Sequence, residues 1–133
     1  MIRYMLDTNT IAYAKNRRPP QVLQRLLEHD PSEISISSIT MAELEFGIHH
    51  SSKPEQNRIA LMMFLSGITV LPFDSNAAWE YGSIRHSLQS QGLMIGGNDM
   101  LIAAHAKSLN LTLVTHNTRE FSRVEQLHIE DWV

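Results

Sequence analysis

Three acidic side chains stand where a predicted strand gives way to a helix. Asp7 closes a short apolar run near the amino end, Glu43 falls about a turn into the helix after a second strand, and Asp99 opens an apolar helix. A fourth acid, Glu120, follows a later strand through a short turn. In folds that alternate strands and helices, ligands bind beyond the carboxyl ends of the strands, so all four can project to one rim. Like charges gathered in one cleft repel each other, and such a gathering calls for a cation. The chain has no cysteine, which excludes a disulfide framework, thiolate zinc, iron–sulfur clusters and cysteine nucleophiles. Oxygen-only ligands suit Mg²⁺ or Mn²⁺, which take one or two carboxylates together with water and substrate phosphate.

Each acid also has a plain structural reading: Asp7 and Asp99 as helix caps, Glu43 as a solvated helix residue. Asp99 sits least easily with it, because it shares a helical stripe with Ile102, Ala103 and Ala106 and so points inward. Thr8 and Ser38 stand open between capping and orienting a carboxylate. The seven histidines offer metal-free acid–base catalysis instead. However, His49 and His50 are neighbours that diverge on a helix, His105 and His116 fall on different elements, and no His-Glu-x-x-His zinc pattern occurs. All seven are read as structural or surface groups, with His105 the buried one.

The elements that must position these residues follow from pattern and punctuation. Strands are expected at residues 2–6, 33–37, 68–71 and 111–114, with a last one near 127–129 after a turn at His116-Asn117-Thr118. Helices are expected over Thr10 to Lys15 and after Pro19-Pro20, where Val22, Leu23, Leu26 and Leu27 form one stripe. Others run from Ile39 to Ile48 after a Ser37 or Ser38 cap, from Pro54 to Gly67, from an Asp74 or Ser75 cap to Gly92, and through the apolar run Met100 to Ala106. Strands alternating with helices predict an α/β sandwich with a mostly parallel central sheet covered on both faces. The apolar residues Leu26, Leu27, Met62, Met63 and Phe64 read as core by default, or as a groove for a partner helix, a role that adaptable methionines suit.

Length and composition fit this picture. A chain of 133 residues with 43% hydrophobic content predicts one domain, residues 1–133, and 19% charged residues lies below the ~25% usual for soluble domains. No stretch approaches the ~18 apolar residues of a membrane span and the start lacks a signal-peptide pattern, so a cytoplasmic protein is expected. A net charge of -3 is unusual for a nucleic-acid binder. Setting aside Asp7, Glu43 and Asp99 brings it to 0, since -3 + 3 = 0. Lys15-Asn16-Arg17-Arg18, with Arg119 and Arg123, then forms either a solvated surface or a contact to a phosphate backbone.

Taken together, Met5-Leu6-Asp7-Thr8-Asn9, Ser38-x-Thr40-x-x-Glu43-x-x-x-Gly47, Asn98-Asp99-x-x-Ile102-Ala103-Ala104-x-Ala106 and Thr115-x-Asn117-x-x-Glu120-Phe121 resemble the PIN-domain ribonucleases of the VapC toxin type. The similarity runs from Met1 to the Asp131-Trp132 ending. The resemblance implies a PIN-like α/β/α sandwich and a catalytic cluster at Asp7, Glu43 and Asp99, with Mg²⁺ bound chiefly at Asp7 and Asp99 and Mn²⁺ as a substitute. It further implies RNA cleavage leaving 3′-hydroxyl and 5′-phosphate ends, inhibition by a cognate VapB antitoxin that alone contacts DNA, and homodimers within a toxin–antitoxin hetero-oligomer, with no membrane partner. Members acting on transfer RNA are the most similar, which makes the initiator tRNA anticodon loop a target and inhibition of translation the outcome. Many PIN domains carry Asp at the position of Asn117, so either Glu120 through its turn or the Asn117 amide completes the acidic site. In such a site Asp7 and Asp99 would hold the metal, and Glu43 would orient or deprotonate the attacking water.

Two other readings compete. A receiver-type phosphoacceptor also places an Asp after its first strand, but position nine is Asn and Lys107 lies inside the apolar helix. A catalytically inactive partner-binding module is the third.

Overall fold

A computed structural model describes all 133 residues, Met1 to Val133. Its strands are β1 (Tyr4–Leu6), β2 (Ile34–Ser37), β3 (Thr69–Leu71), β4 (Thr112–Val114) and β5 (Ile129–Glu130). They form one sheet in the order β3-β2-β1-β4-β5, and every pairing is parallel. The helices are α1 (Thr8–Asn16), α2 (Pro20–Leu27), α3 (Ser38–His49), α4 (Pro54–Phe64), α5 (Ser75–Gln91), α6 (Gly97–Ser108) and α7 (Thr118–Phe121). Parallel strands need crossovers, and helices serve as those crossovers here.

The pleat sorts the core into two layers, as period-two alternation requires. Tyr4, Leu6, Ile34, Ile36 and Val114 pack with Ile11 and Ala14 of α1, Val22 and Leu26 of α2, and Leu61 of α4. Met5 and Leu113 point the other way, onto Ile84 and Leu88 of α5, Ile102 and Ala106 of α6, and Phe121 of α7. β2 is apolar on one face only. Its Ser35 donates to the Tyr4 carbonyl at 2.8 Å, and Ser37 Oγ lies 2.7 Å from His105 Nδ1. His105 is 1% exposed, as expected, and burial holds its pKa below the ordinary value.

The caps confirm several predicted starts. Ser37 accepts from the Ile39 N–H at 3.0 Å and Asp74 from the Ala77 N–H at 3.0 Å, while Gly92 ends α5 at φ 69°, a left-handed conformation that glycine takes without cost. Three expectations change. α1 begins at Thr8, because Asp7 itself is the cap. The turn after β4 continues into α7, four residues being too short to show helical periodicity. β5 sits at Ile129–Glu130 and shares only Ile129 with the expected run, because its register is set by pairing with Leu113 and Val114.

After β1 the chain moves outward through β2 and β3, then crosses back through α5 and α6 to place β4 on the other side of β1. The strand order therefore reverses at β1. This is the topological switch point, where a crevice opens beyond the strand ends.

Candidate active site

Asp7 is the first residue after β1 and is 5% exposed. Its backbone N–H donates to the Val114 carbonyl at 3.1 Å, which fixes it against the end of β4. Its carboxylate accepts from the Thr10 N–H at 2.9 Å, and hydrogen bonding with the Thr115 side chain beside it lowers the carboxyl. The cap reading and the site reading of Asp7 are thus both true of the same atoms. Thr10 is held in turn by its own hydroxyl, which donates to the Val114 carbonyl at 3.1 Å.

Glu43 lies on the second turn of α3, half-buried. Thr8 Oγ1 donates to its Oε1, and Asn98 Nδ2 donates to its Oε2 at 3.3 Å. One carboxylate is thereby gripped by the start of α1 and the start of α6. Asp99 lies in the first turn of α6, where the N-terminal partial charge favours an acid. Asn117, the cap position of α7, stands beside Asp99, and hydrogen bonding from its side chain pulls the Asp99 carboxyl down.

Electrostatics tie the four acids together. The Asp99 carboxyl is pushed up to about 6, first by burial and then by the negative charges of Asp7, Glu43 and Glu120. Asp7 is also raised, chiefly by burial, against the lowering pull of its Thr115 and Thr10 hydrogen bonds. Perturbed carboxyls grouped at the mouth of a strand crevice mark a site built for chemistry more than for stability.

No three His, Asp or Glu side chains stand close enough to hold a metal ion on protein ligands alone. Mg²⁺, which keeps several waters and takes one or two carboxylates, would not need such a cluster. The donor chemistry fits the same ion: carboxylate, amide and hydroxyl oxygens, with neither thiolate nor imidazole at the crevice.

The structure brings together Asp7, Glu43, Asp99 and Glu120, along with Thr8 and Asn117. It does not bring Ser38 to them: the Ser38 hydroxyl accepts from the Phe73 N–H at 3.0 Å and pins the segment after β3. Ser38 neither caps α3, a role Ser37 fills, nor orients an acid. Thr10, Thr115 and Asn98 are residues the sequence reading did not assign to the site, although Asn98 and Thr115 lie inside the quoted motifs. Lys107 pairs with Glu80 of α5 at 3.5 Å, which leaves the receiver-type reading without its lysine.

The PIN domain family model matches residues 4–127. Ribonuclease VapC2 of Rickettsia felis is 45% identical over 130 residues, 97% of this chain and 97% of that one. This chain belongs to the PIN domain family. Within the family it is also similar to the tRNA(fMet)-specific endonuclease VapC of Shigella flexneri, 42% identical over 132 residues and 99% of each chain. A DNA-bound VapBC structure from Salmonella typhimurium superposes with a TM-score of 0.94 at 40% identity over the whole of both chains.

This PIN domain has a second surface feature, away from the acids. A cavity of about 420 Å³ is walled by Ala14, Leu23, Leu26 and Leu27 on one side and by Met63 and Phe64 on the other, with Lys15 and Arg17 at its edge. Leu27, Met62 and Met63 are 74%, 58% and 73% exposed, so the default assignment of these residues to the core is corrected. Of that set only Leu26 is buried. Helices α2 and α4 cover the sheet with one stripe each and leave the opposite apolar residues uncovered. No helix of the chain is long and apolar enough to cross a membrane.

Proposed function

We propose that this chain is a Mg²⁺-dependent endoribonuclease acting in the cytoplasm as the toxin of a VapB–VapC pair. The observation that carries the reading is Asp99, whose carboxyl is raised to about 6 by burial and three acidic neighbours at the strand crevice. A group so placed is poorly suited to a structural role and well suited to a cation and a phosphodiester.

Asp7 and Asp99 would hold the metal, and Mn²⁺ can take its place. Bound there, Mg²⁺ supplies Lewis acidity toward a phosphoryl oxygen and toward a water. Glu43 accepts the proton of the attacking water, its carboxylate kept in one orientation by Thr8 and Asn98. Thr10 and Thr115 pull the Asp7 carboxyl down against its burial, since donors to a carboxylate favour its charged form. Asn117 does the same for Asp99, and Glu120 adds to the negative potential from α7.

The substrate proposed is transfer RNA, with the initiator anticodon loop as target and loss of translation as consequence. Its support is the similarity to the Shigella flexneri relative together with the accessibility of bases in RNA loops. The partner proposed is a VapB antitoxin whose helix lies in the apolar groove between α1, α2 and α4 and brings a cationic side chain to the acids. Contact with DNA would be made through that partner, and the toxin would pair with a second copy of itself.

Induced expression without an antitoxin, followed by sequencing of RNA 5′-phosphate ends, tests the reading. A few sharp new ends in loop positions are expected, dependent on Mg²⁺ in the purified system. No new ends, or a uniform smear, would refute it.

A further inference from the structure

Phe46 is 71% exposed, although it stands one turn beyond Glu43 on α3. Residues three apart on a helix are neighbours, so its ring lies beside the carboxylate. The two line a common cleft of about 560 Å³ with Thr8, Ile39, Ala42 and Asn98. Thr8 and Asn98 are the donors that grip Glu43, so this cleft is continuous with the acidic site. Behind Phe46, the ring of His50 lies nearly parallel, 5.7 Å between centroids and 13° between planes. The ring is supported by His50 and otherwise largely exposed, at the wall of the cleft it shares with Glu43.

We propose that Phe46 is a stacking platform for an unpaired RNA base next to the phosphodiester that is cut. The inference rests on the ribonuclease reading and adds to it how the substrate is positioned. An apolar ring beside an acidic centre has nothing to offer a phosphate, but it matches the face of a base, the one flat apolar part of a nucleotide. Aromatic side chains that hold single strands do so by stacking, and stacking tolerates any base because every base has a π-face. Phe46 carries no hydrogen-bonding group, so it selects for a base that is free to leave its helix and not for one base over another. A nucleotide in a loop satisfies this, and one in a duplex does not. Phe46 is therefore a positioning residue, distinct from the acids that perform the reaction.

The test uses the full chain in the Asp99→Asn background with EDTA present, so that RNA should stay uncut, and a fluorescein-labelled RNA hairpin with an unpaired loop. Phe46→Ala and Phe46→Leu should each weaken binding about tenfold, the loss typical of removing one stacked contact. Phe46→Tyr and Phe46→Trp should bind like the parent. Closing the loop into a duplex should abolish binding, and changing the loop bases should matter little. In the otherwise wild-type enzyme, Phe46→Ala should raise KM and leave kcat near its starting value, with an unchanged melting temperature.

Equal binding by Phe46→Ala and the parent would overturn the proposal. Full binding by Phe46→Leu would overturn it too, since any apolar group would then serve. A Phe46→Ala chain that sediments at a different size would place the ring at an interface between copies and refute the platform. The two readings fail separately: a chain that binds the hairpin through Phe46 but cuts no RNA with Mg²⁺ keeps the platform and loses the catalytic reading. A chain that binds no RNA loses both.

Discussion

Two groups of charged residues are assembled from distant parts of this chain, and they follow opposite rules. In the first, Glu130 of β5 accepts from Arg25 Nη2 of α2 at 2.9 Å and from Trp132 Nε1 at 2.8 Å. The Arg25 guanidinium lies 5.7 Å over the Trp132 ring, which stacks on His29 at 5.4 Å and meets Tyr4 edge-on at 5.4 Å. Donors meet acceptors and a cation meets a ring, so this group ties the carboxyl end to the sheet. In the second, burial first and then the negative charges of Asp7, Glu43 and Glu120 push the Asp99 carboxyl up to about 6. Stability alone would not assemble like charges in this way. Where local chemistry works against the fold, the arrangement marks function, and where it is complementary, it marks structure.

Breaking the complementary group should have the largest effect on stability. Trp132 is 2% exposed, and Trp132→Ala should cost about 3–5 kcal/mol, the usual range for removing a buried tryptophan. Chemical denaturation would measure this. Cleavage per folded molecule should stay near that of the wild type, because Trp132 belongs to the core layer of Tyr4 and Val22 and not to the acid crevice. A selective loss of activity at unchanged stability would break the division between the two groups.

A smaller effect is expected within the site. Thr115→Val removes a donor to Asp7 and so raises that carboxyl further, since hydrogen bonds to the charged form are what lower it. Mg²⁺ should then bind about tenfold more weakly, the low end of the cost of losing a ligand-orienting bond. The acid side of the pH–activity profile should move to higher pH, and the melting temperature should fall modestly, because the Thr115 hydroxyl also accepts from the Asn117 N–H at 3.0 Å.

The smallest effect is in the pH dependence of the metal-free protein, and its sign is fixed. The Asp99 carboxyl has an ordinary value of 3.8 and is raised to about 6 in the fold, so between those values the native state holds a proton that the unfolded chain gives up. Stability must therefore fall as pH rises through that window. Activity should rise through the same range, because a metal ligand must be ionised. Melting curves in EDTA alongside cleavage rates would show the two trends crossing, and parallel trends would contradict the assignment of Asp99.

Much of the site is legible in the sequence because each principal acid sits at a junction with its own local punctuation. Asp7 follows a short β-forming run, Glu43 follows a serine cap, and Asp99 follows paired glycines. The parallel sheet is legible from the same alternation. Partners fixed by long-range pairing are not. Thr10 reaches the Val114 carbonyl across 104 positions of sequence, and Thr115 reaches Asp7 only because β4 lies beside β1. Exposure is equally hidden. Met62 and Met63 read equally as core or as a partner's groove, and nothing marks Phe46, until the layers show that nothing covers them.

Asp99→Asn tests the division between site and scaffold most directly, because it removes the charge and keeps the shape. Without metal the variant should be more stable than the wild type by about 1 kcal/mol, the part of the repulsion left after screening and proton uptake. Mg²⁺ should raise its melting temperature less than it raises that of the wild type, since stabilisation by a ligand falls as its dissociation constant rises. RNA cleavage should fall by orders of magnitude. Asparagine caps a helix about as well as aspartate, so a purely structural Asp99 would leave both activity and stability almost unchanged. An Asp99→Asn chain that cuts RNA at the wild-type rate would contradict a catalytic site built on these four acids.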